Sequence, residues 1–122
     1  MFYLSKEIEI SASHSLDLPY ESPCENLHGH NYKVTVFVSA EELNAEGMVM
    51  DFAIIKSIVT KYDHAHLNDL LAQATAECLA NKICRDMNEY ICNMTQDRNS
   101  HLYCSQVDIQ ETEGSFCSYV QD

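Results

Sequence analysis

Two histidines separated by one glycine, His28-Gly29-His30, together with His14, are the residues of this chain best suited to chemistry. Residues two apart on a strand point the same way, so the imidazoles of His28 and His30 share a face. Gly29 between them lets another group approach the backbone closely. Three neutral imidazoles form a catalytic zinc set, with a fourth position left for water or substrate. The same nitrogens accept nickel, iron or copper, so these residues indicate a transition metal before they indicate zinc. The alternative is three unrelated surface or capping histidines. Pairing geometry favours the metal, because an antiparallel partner strand ending at His14 brings all three rings to one end of a sheet.

Other candidates surround that centre. Cys24 precedes His28 by four residues in an irregular loop. Nearby positive charge favours its thiolate, which then serves as a general base. A fourth metal ligand, which would close the site, or an inert thiol are the competing readings. Asp63-His64 follows a predicted helix, and a carboxylate beside an imidazole makes an acid–base unit. A helix C-terminal histidine favoured by the helix dipole is the plainer reading, and His66 competes for the same role. Glu111 ends a predicted strand on its apolar face, where its two oxygens match a planar base with adjacent N–H donors. A solvated strand-end glutamate is the alternative.

The elements that must position these groups follow from periodicity. Ile8, Ile10, Ala12 and His14 alternate with Glu7, Glu9, Ser11 and Ser13, which predicts a half-buried strand from Lys6 to His14. Pro19 and Pro23 interrupt the polar stretch that follows. Alternation resumes at His28, with His30, Tyr32, Val34, Val36 and Val38 on one face. Gly47 precedes a short extended piece, Met48 to Met50. Asp51 then caps a helix with the stripe Phe52, Ile55, Val59 and Tyr62. Thr75 caps a second helix with the stripe Leu79, Ile83, Met87 and Ile91, ending near Asn93. Cys78, Cys84 and Cys92 are expected as core thiols of that helix. A third strand from His101 to Thr112 places Tyr103, Val107, Ile109 and Glu111 on one face. Glu113-Gly114 turns the chain into a fourth strand, Phe116 to Val120.

The predicted order is ββααββ. This is an α+β fold, an antiparallel four-stranded sheet with two helices on one face. No segment remains to cover the other sheet face, so several copies are expected to pack their sheets together. The 122 residues suit one domain, 1–122, and 46% hydrophobic with 21% charged residues is a globular composition. The formal net charge is −12 with only seven Lys and Arg. Such a surface argues against nucleic acid and anionic membranes as partners. No apolar run suits a bilayer and no signal-peptide pattern opens the chain, so a cytoplasmic protein with six reduced cysteines is expected.

Taken together, these pieces resemble the 6-pyruvoyl-tetrahydropterin synthase / 6-carboxytetrahydropterin synthase family over nearly the whole chain. The matching segments are Ser13-His14, Cys24-Glu25-Asn26-Leu27-His28-Gly29-His30-Asn31-Tyr32, Gly47-Met48-Val49-Met50-Asp51-Phe52, Asp63-His64 with Leu67-Asn68, Thr75-Ala76-Glu77 and Glu111-Thr112. The resemblance implies that His14, His28 and His30 bind zinc and that Cys24, Asp63 and His64 form the catalytic set. It implies that Glu111 anchors the pterin ring, helped by Thr75. The implied fold is the tunnelling fold, or T-fold, assembled as an oligomeric barrel, commonly a hexamer, with sites between subunits. The implied substrate is 7,8-dihydroneopterin triphosphate. The three residues between Cys24 and His28 look like the branch that makes 6-carboxy-5,6,7,8-tetrahydropterin for queuosine. A pyruvoyl or hydroxymethyl product, or a non-catalytic zinc-binding assembly module, are the other readings. Cys78 and Glu113 depart from the family pattern beside the implied pterin contacts, where asparagine and proline are usual, and His66 is an additional histidine.

Overall fold

The computed structural model describes residues 1–94 and 101–122. Its strands are β1 (Phe2–His14), β2 (His28–Ala40), β3 (Ala65–His66), β4 (Tyr103–Thr112) and β5 (Ser115–Val120), and its helices are α1 (Phe52–Val59) and α2 (Ala76–Met94). They form one sheet in the order β3-β1-β2-β4-β5. The four antiparallel strands expected from alternation are joined by β3, two residues running parallel to β1. Both helices pack on one face. No helix among the described residues is long and apolar enough to cross a membrane.

Alternation sets the main ladder. β1 and β2 pair from Phe2↔Ala40 to His14↔His28 without a break. Their inward residues Ile10, Tyr32, Val34, Val36 and Val38 are buried, and a one-residue slip would turn all of them to solvent. Each fully buried branched side chain contributes about 1.5–3 kcal/mol. The helices close this layer with Ile55, Val59, Leu79, Ile83, Met87 and Ile91.

Both expected caps are present. The Asp51 carboxylate accepts a hydrogen bond from the Ala53 amide at 2.8 Å, and the Thr75 hydroxyl accepts one from the Cys78 amide at 3.1 Å. Such a cap contributes about 1 kcal/mol.

Several local expectations fail for identifiable reasons. In β4 the register shifts between Phe37 and Val38 of the partner strand, leaving Ser105 as the extra residue. That bulge puts Cys104 in the core and turns Tyr103 outward, at 41% exposure. The Asn88 side chain of α2 restores bonding there: its amide donates to the Cys104 carbonyl and its oxygen accepts from the Cys104 amide. Phe52, at the first position of α1, lies outside the buried stripe, with the Lys6 ammonium above its ring. Cys84 is buried, but Cys78 and Cys92 are exposed. Met48 to Met50 form no strand, and the chain bends at Val49 and Met50: Gly47 adopts φ +81°, and the Asn44 side chain accepts from the Glu46 and Met48 amides. Met50 is buried and Met48 is exposed. The sheet face away from the helices carries the exposed Tyr3, Phe116 and Val120 beside Glu7, Glu9 and Lys33.

Candidate metal and acid–base site

The β1–β2 ladder ends where the histidines lie. His14 pairs with His28, and Ala12 pairs with His30. Ring centroids are 4.5 Å apart for His14–His28, 5.1 Å for His14–His30 and 4.8 Å for His28–His30. One nitrogen from each ring lies within 4.8 Å of the other two. His14 is buried and the other two are half-buried.

The hydrogen-bond pattern calls for a cation at this point. His14 Nδ1 lies 2.6 Å from the Ala74 carbonyl, and His28 Nδ1 lies 2.6 Å from the Asn26 carbonyl. A carbonyl accepts only, so each Nδ1 carries a proton and each Nε2 presents a lone pair. Yet the two Nε2 atoms face each other at 2.9 Å. Three contacts need three protons, and two neutral imidazoles carry two. A third proton on one ring, or a metal ion bound by both Nε2 atoms, resolves the conflict, and the three histidines could hold such an ion. His30 Nε2 is buried with no hydrogen-bond partner among the described residues, so it is available to the same ion. The Ala74 and Asn26 carbonyls then orient the ligands, as outer-shell acceptors do in metal sites.

Glu111 reaches the same place from β4. The β4–β5 register shifts between Gln110 and Thr112, so Glu111 is the unpaired residue of a bulge. Its Oε1 lies 3.6 Å from His30 Nε2. Burial lowers the His30 pKa, and His14 and His28 add to that, while Glu111 opposes it. Tyr32 stands behind His14 and His30; burial, reinforced by Glu111, raises its phenol above the ordinary range. Glu77, in the first turn of α2, belongs to the Thr75-Ala76-Glu77 segment but takes no role from sequence, because an exposed helix-start glutamate carries no pattern. Burial, then Glu77, pushes the Cys117 thiol up to about 11, with Asp108 and Glu111 also raising it. Thr75, at the start of α2, accepts with its hydroxyl oxygen from the Cys78 amide, which leaves its hydroxyl proton free to donate.

Asp63 and His64 lie on the other side, at the turn into β3. Asp63 Oδ1 accepts from the Ser11 amide at 2.8 Å, and the His64 amide donates to the Ser11 carbonyl at 2.6 Å. The His64 Nε2 is 3.5 Å from Asp63 Oδ2, and the imidazole is 82% exposed. His66 hydrogen-bonds the Ser13 hydroxyl at 3.0 Å, so its ring is engaged elsewhere. His30, His64 and His66 line one open hollow of about 520 Å³ with Ser11, Ser13 and Gly29. Cys24 lies in a 3₁₀ turn, Pro23–Glu25, capped by Ser22. Its carbonyl accepts from the Leu16 amide, which ties the loop to the strand end near His14. The thiol is exposed, has no hydrogen-bond partner among the described residues, and lies outside the three-nitrogen group.

Sheet, helices and site together define a T-fold protein with a three-imidazole centre at the sheet end. Residues 3–122 match the family described as 6-pyruvoyl tetrahydropterin synthase. The chain is 33% identical over 140 residues to the 6-carboxy-5,6,7,8-tetrahydropterin synthase of Haemophilus influenzae, covering 98% of this chain and 99% of that one. It is 31% identical over 127 residues to the Bacillus subtilis protein of the same name, covering 97% and 84%. The fold is shared with the 6-pyruvoyl tetrahydropterin synthase of Caenorhabditis elegans, with a TM-score of 0.72 at 22% identity, covering 99% and 96%. The chain therefore belongs to the 6-pyruvoyl tetrahydropterin synthase family.

Proposed function

We propose that the protein is a zinc-dependent 6-carboxytetrahydropterin synthase. It converts 7,8-dihydroneopterin triphosphate and one water to 6-carboxy-5,6,7,8-tetrahydropterin, acetaldehyde and triphosphate, a step of queuosine formation. The observation that supports it most directly is the three-imidazole centre with the Glu111 carboxylate beside it. The full-length relatives from Haemophilus influenzae and Bacillus subtilis bear that synthase name.

In this reading His14, His28 and His30 hold the metal, their rings fixed by the Ala74 and Asn26 carbonyls. Zinc bound there supplies Lewis-acid stabilisation of negative charge developing on the substrate side chain. Glu111 accepts from two adjacent N–H groups of the pterin, and the free Thr75 hydroxyl proton adds a donor. The Cys24 thiolate removes a side-chain proton next to the ring. His64 carries the hydroxyl proton, with Asp63 orienting the imidazole and Ser11 orienting Asp63. Catalytic groups as exposed as Cys24 and His64 need a cover that excludes water. A second copy of the chain supplies it: we read the protein as a homo-oligomer, a hexamer with sites between subunits. The exposed Tyr3, Phe116 and Val120 give its uncovered sheet face apolar surface to bury. All six cysteines are free among the described residues, and we read the protein as cytoplasmic.

The test is product analysis. Zinc-loaded protein is incubated with 7,8-dihydroneopterin triphosphate and the pterin identified by mass. A carboxypterin with acetaldehyde is expected. A pyruvoyl or hydroxymethyl pterin moves the chain to a sister activity. No turnover by an intact, zinc-loaded oligomer overturns the reading.

A further inference from the structure

A buried polar cluster on the helix side remains unused by this mechanism. Asp86, in the middle of α2, has a side chain only 8% exposed. Its Oδ2 lies 2.8 Å from the Lys61 ammonium and its Oδ1 2.8 Å from the Lys82 ammonium. The Tyr62 hydroxyl donates to Oδ2. Burial pushes this carboxyl up, but hydrogen bonds from Lys61, Lys82 and Tyr62 outweigh it and hold the pKa below the ordinary value. Burial first, then Asp86, raises the Tyr62 phenol, which stays a donor at neutral pH. Asp86 is therefore an ionised anchor with three partners.

Two of those partners are the residues immediately before Asp63. Lys61 and Tyr62 end the 3₁₀ turn Thr60–Tyr62, and Asp63 closes it by donating its amide to the Thr60 carbonyl. The next residue, His64, adopts φ +58°, a left-handed conformation unfavourable for a residue with a Cβ. Such backbone persists only when its surroundings over-determine it. One side of the turn is fastened to Ser11, through the Asp63 carboxylate and the His64 amide. The other side is fastened to α2, through Asp86. With both ends held, His64 lines the hollow that His30 also lines, and the Asp63 carboxylate lies 3.5 Å from the His64 ring behind it.

We propose that Asp86 is a positioning residue for the reaction, acting through Tyr62 and Lys61 to set the Asp63–His64 turn against β1. This rests on the reading of Asp63–His64 as the acid–base pair. Asp86 touches neither substrate nor metal ligands, so its removal lowers kcat while KM and zinc content stay unchanged.

The test compares the wild type with Asp86→Asn, Tyr62→Phe and Asp86→Glu in the zinc-loaded oligomer. Zinc content, steady-state kinetics and residue-resolved amide exchange are measured. The expected result for Asp86→Asn and Tyr62→Phe is at least tenfold faster exchange at the Ser11 and His64 amides and at least tenfold lower kcat. Exchange across β2 and KM should not change, and Asp86→Glu should recover most of kcat. Unchanged exchange at Ser11 and His64 overturns the proposal. Exchange that rises across the whole chain overturns it too, because Asp86 then only stabilises the fold. Loosened amides with unchanged kcat also overturn it. If the wild type turns over no pterin triphosphate, the reading of the acid–base pair fails, and the proposal with it. The exchange data still decide separately whether Asp86 orders the turn.

Discussion

Replacing His28 with Ala separates the metal reading of the histidines from a merely structural one. Two lone pairs face each other at 2.9 Å between His14 and His28 when both Nδ1 protons point at carbonyls. A bound ion removes that conflict; deleting one ring also removes it. In chelator, the His28→Ala variant therefore loses half-buried ring contacts but gains relief from the repulsion, and its stability stays within about 1 kcal/mol of wild type, the usual scale for a surface-proximal change. With zinc, the two proteins diverge. An ion that binds only the folded state at a thousand times its Kd contributes about 4 kcal/mol. For a chain of this size that raises Tm by about 12–20 °C. Thermal unfolding is followed in chelator and in excess zinc for both proteins. The wild type should show the full rise and His28→Ala little of it, with bound zinc lost in step. An equal zinc-dependent rise in both proteins would refute the argument, because the ion would then be held elsewhere. A His28→Ala variant already unfolded in chelator would refute the lone-pair conflict.

Cys24→Ala should keep zinc and the oligomer and lose turnover by at least a thousandfold; near-normal turnover in a coupled pterin assay would remove Cys24 as the base. Glu111→Gln keeps one acceptor and adds a donor aimed at the pterin, so KM should rise about tenfold or more, while zinc content measured by metal analysis stays unchanged. Asp86 is held below its ordinary pKa, so its stabilisation is present above the unfolded carboxylate value of about 3.9 and is lost as pH falls through the lower folded value. Asp86→Asn should flatten that part of an acid-unfolding curve, and an unchanged curve would contradict the ion-pair account. The Cys117 thiol, pushed up to about 11, is about one part in a thousand thiolate at pH 8. Mass-mapped alkylation should find it among the last cysteines modified, well after exposed Cys24, Cys78 and Cys92.

Long-range geometry was legible wherever one face of an element carries a repeating burden. Alternation places β1 from Lys6 to His14 and β2 from His28 to Val38, and His14 beside His28 follows from where it stops; the ladder continues to Phe2↔Ala40, beyond the start that alternation gives β1. The caps at Asp51 and Thr75 were legible because a side-chain oxygen before an apolar stripe answers a specific need of helix amides. Illegible features are those without a period. β3 has two residues and cannot alternate. The bulge at Ser105 breaks the period it sits in, which is why Tyr103 was read on the wrong face. Cys78 and Cys92 lie near the edge of the α2 stripe, where one residue's rotation separates core from solvent. The protonation conflict at His14 and His28 depends on carbonyl directions, which residue types do not encode.

The strands and the turn divide the chemistry according to how much constraint each part needs. A metal centre requires three nitrogens fixed within a few tenths of an ångström, and two long, uninterrupted strands with carbonyl-oriented rings meet that requirement. The Asp63–His64 pair, proposed to move a proton, sits instead at a turn on the sheet edge where His64 adopts φ +58°, with the imidazole in solvent. His30 and the exposed His64 line one hollow, and in the proposed function that hollow makes a complete site only when something closes over it. The chain's acidic surface opposes binding a triphosphate in the open, since the repulsion extends over roughly a Debye length of about 8–10 Å. In the proposed function a second copy carries the same net charge and excluding water strengthens charge interactions, so local Lys or Arg side chains or backbone N–H groups must offset the field at the triphosphate.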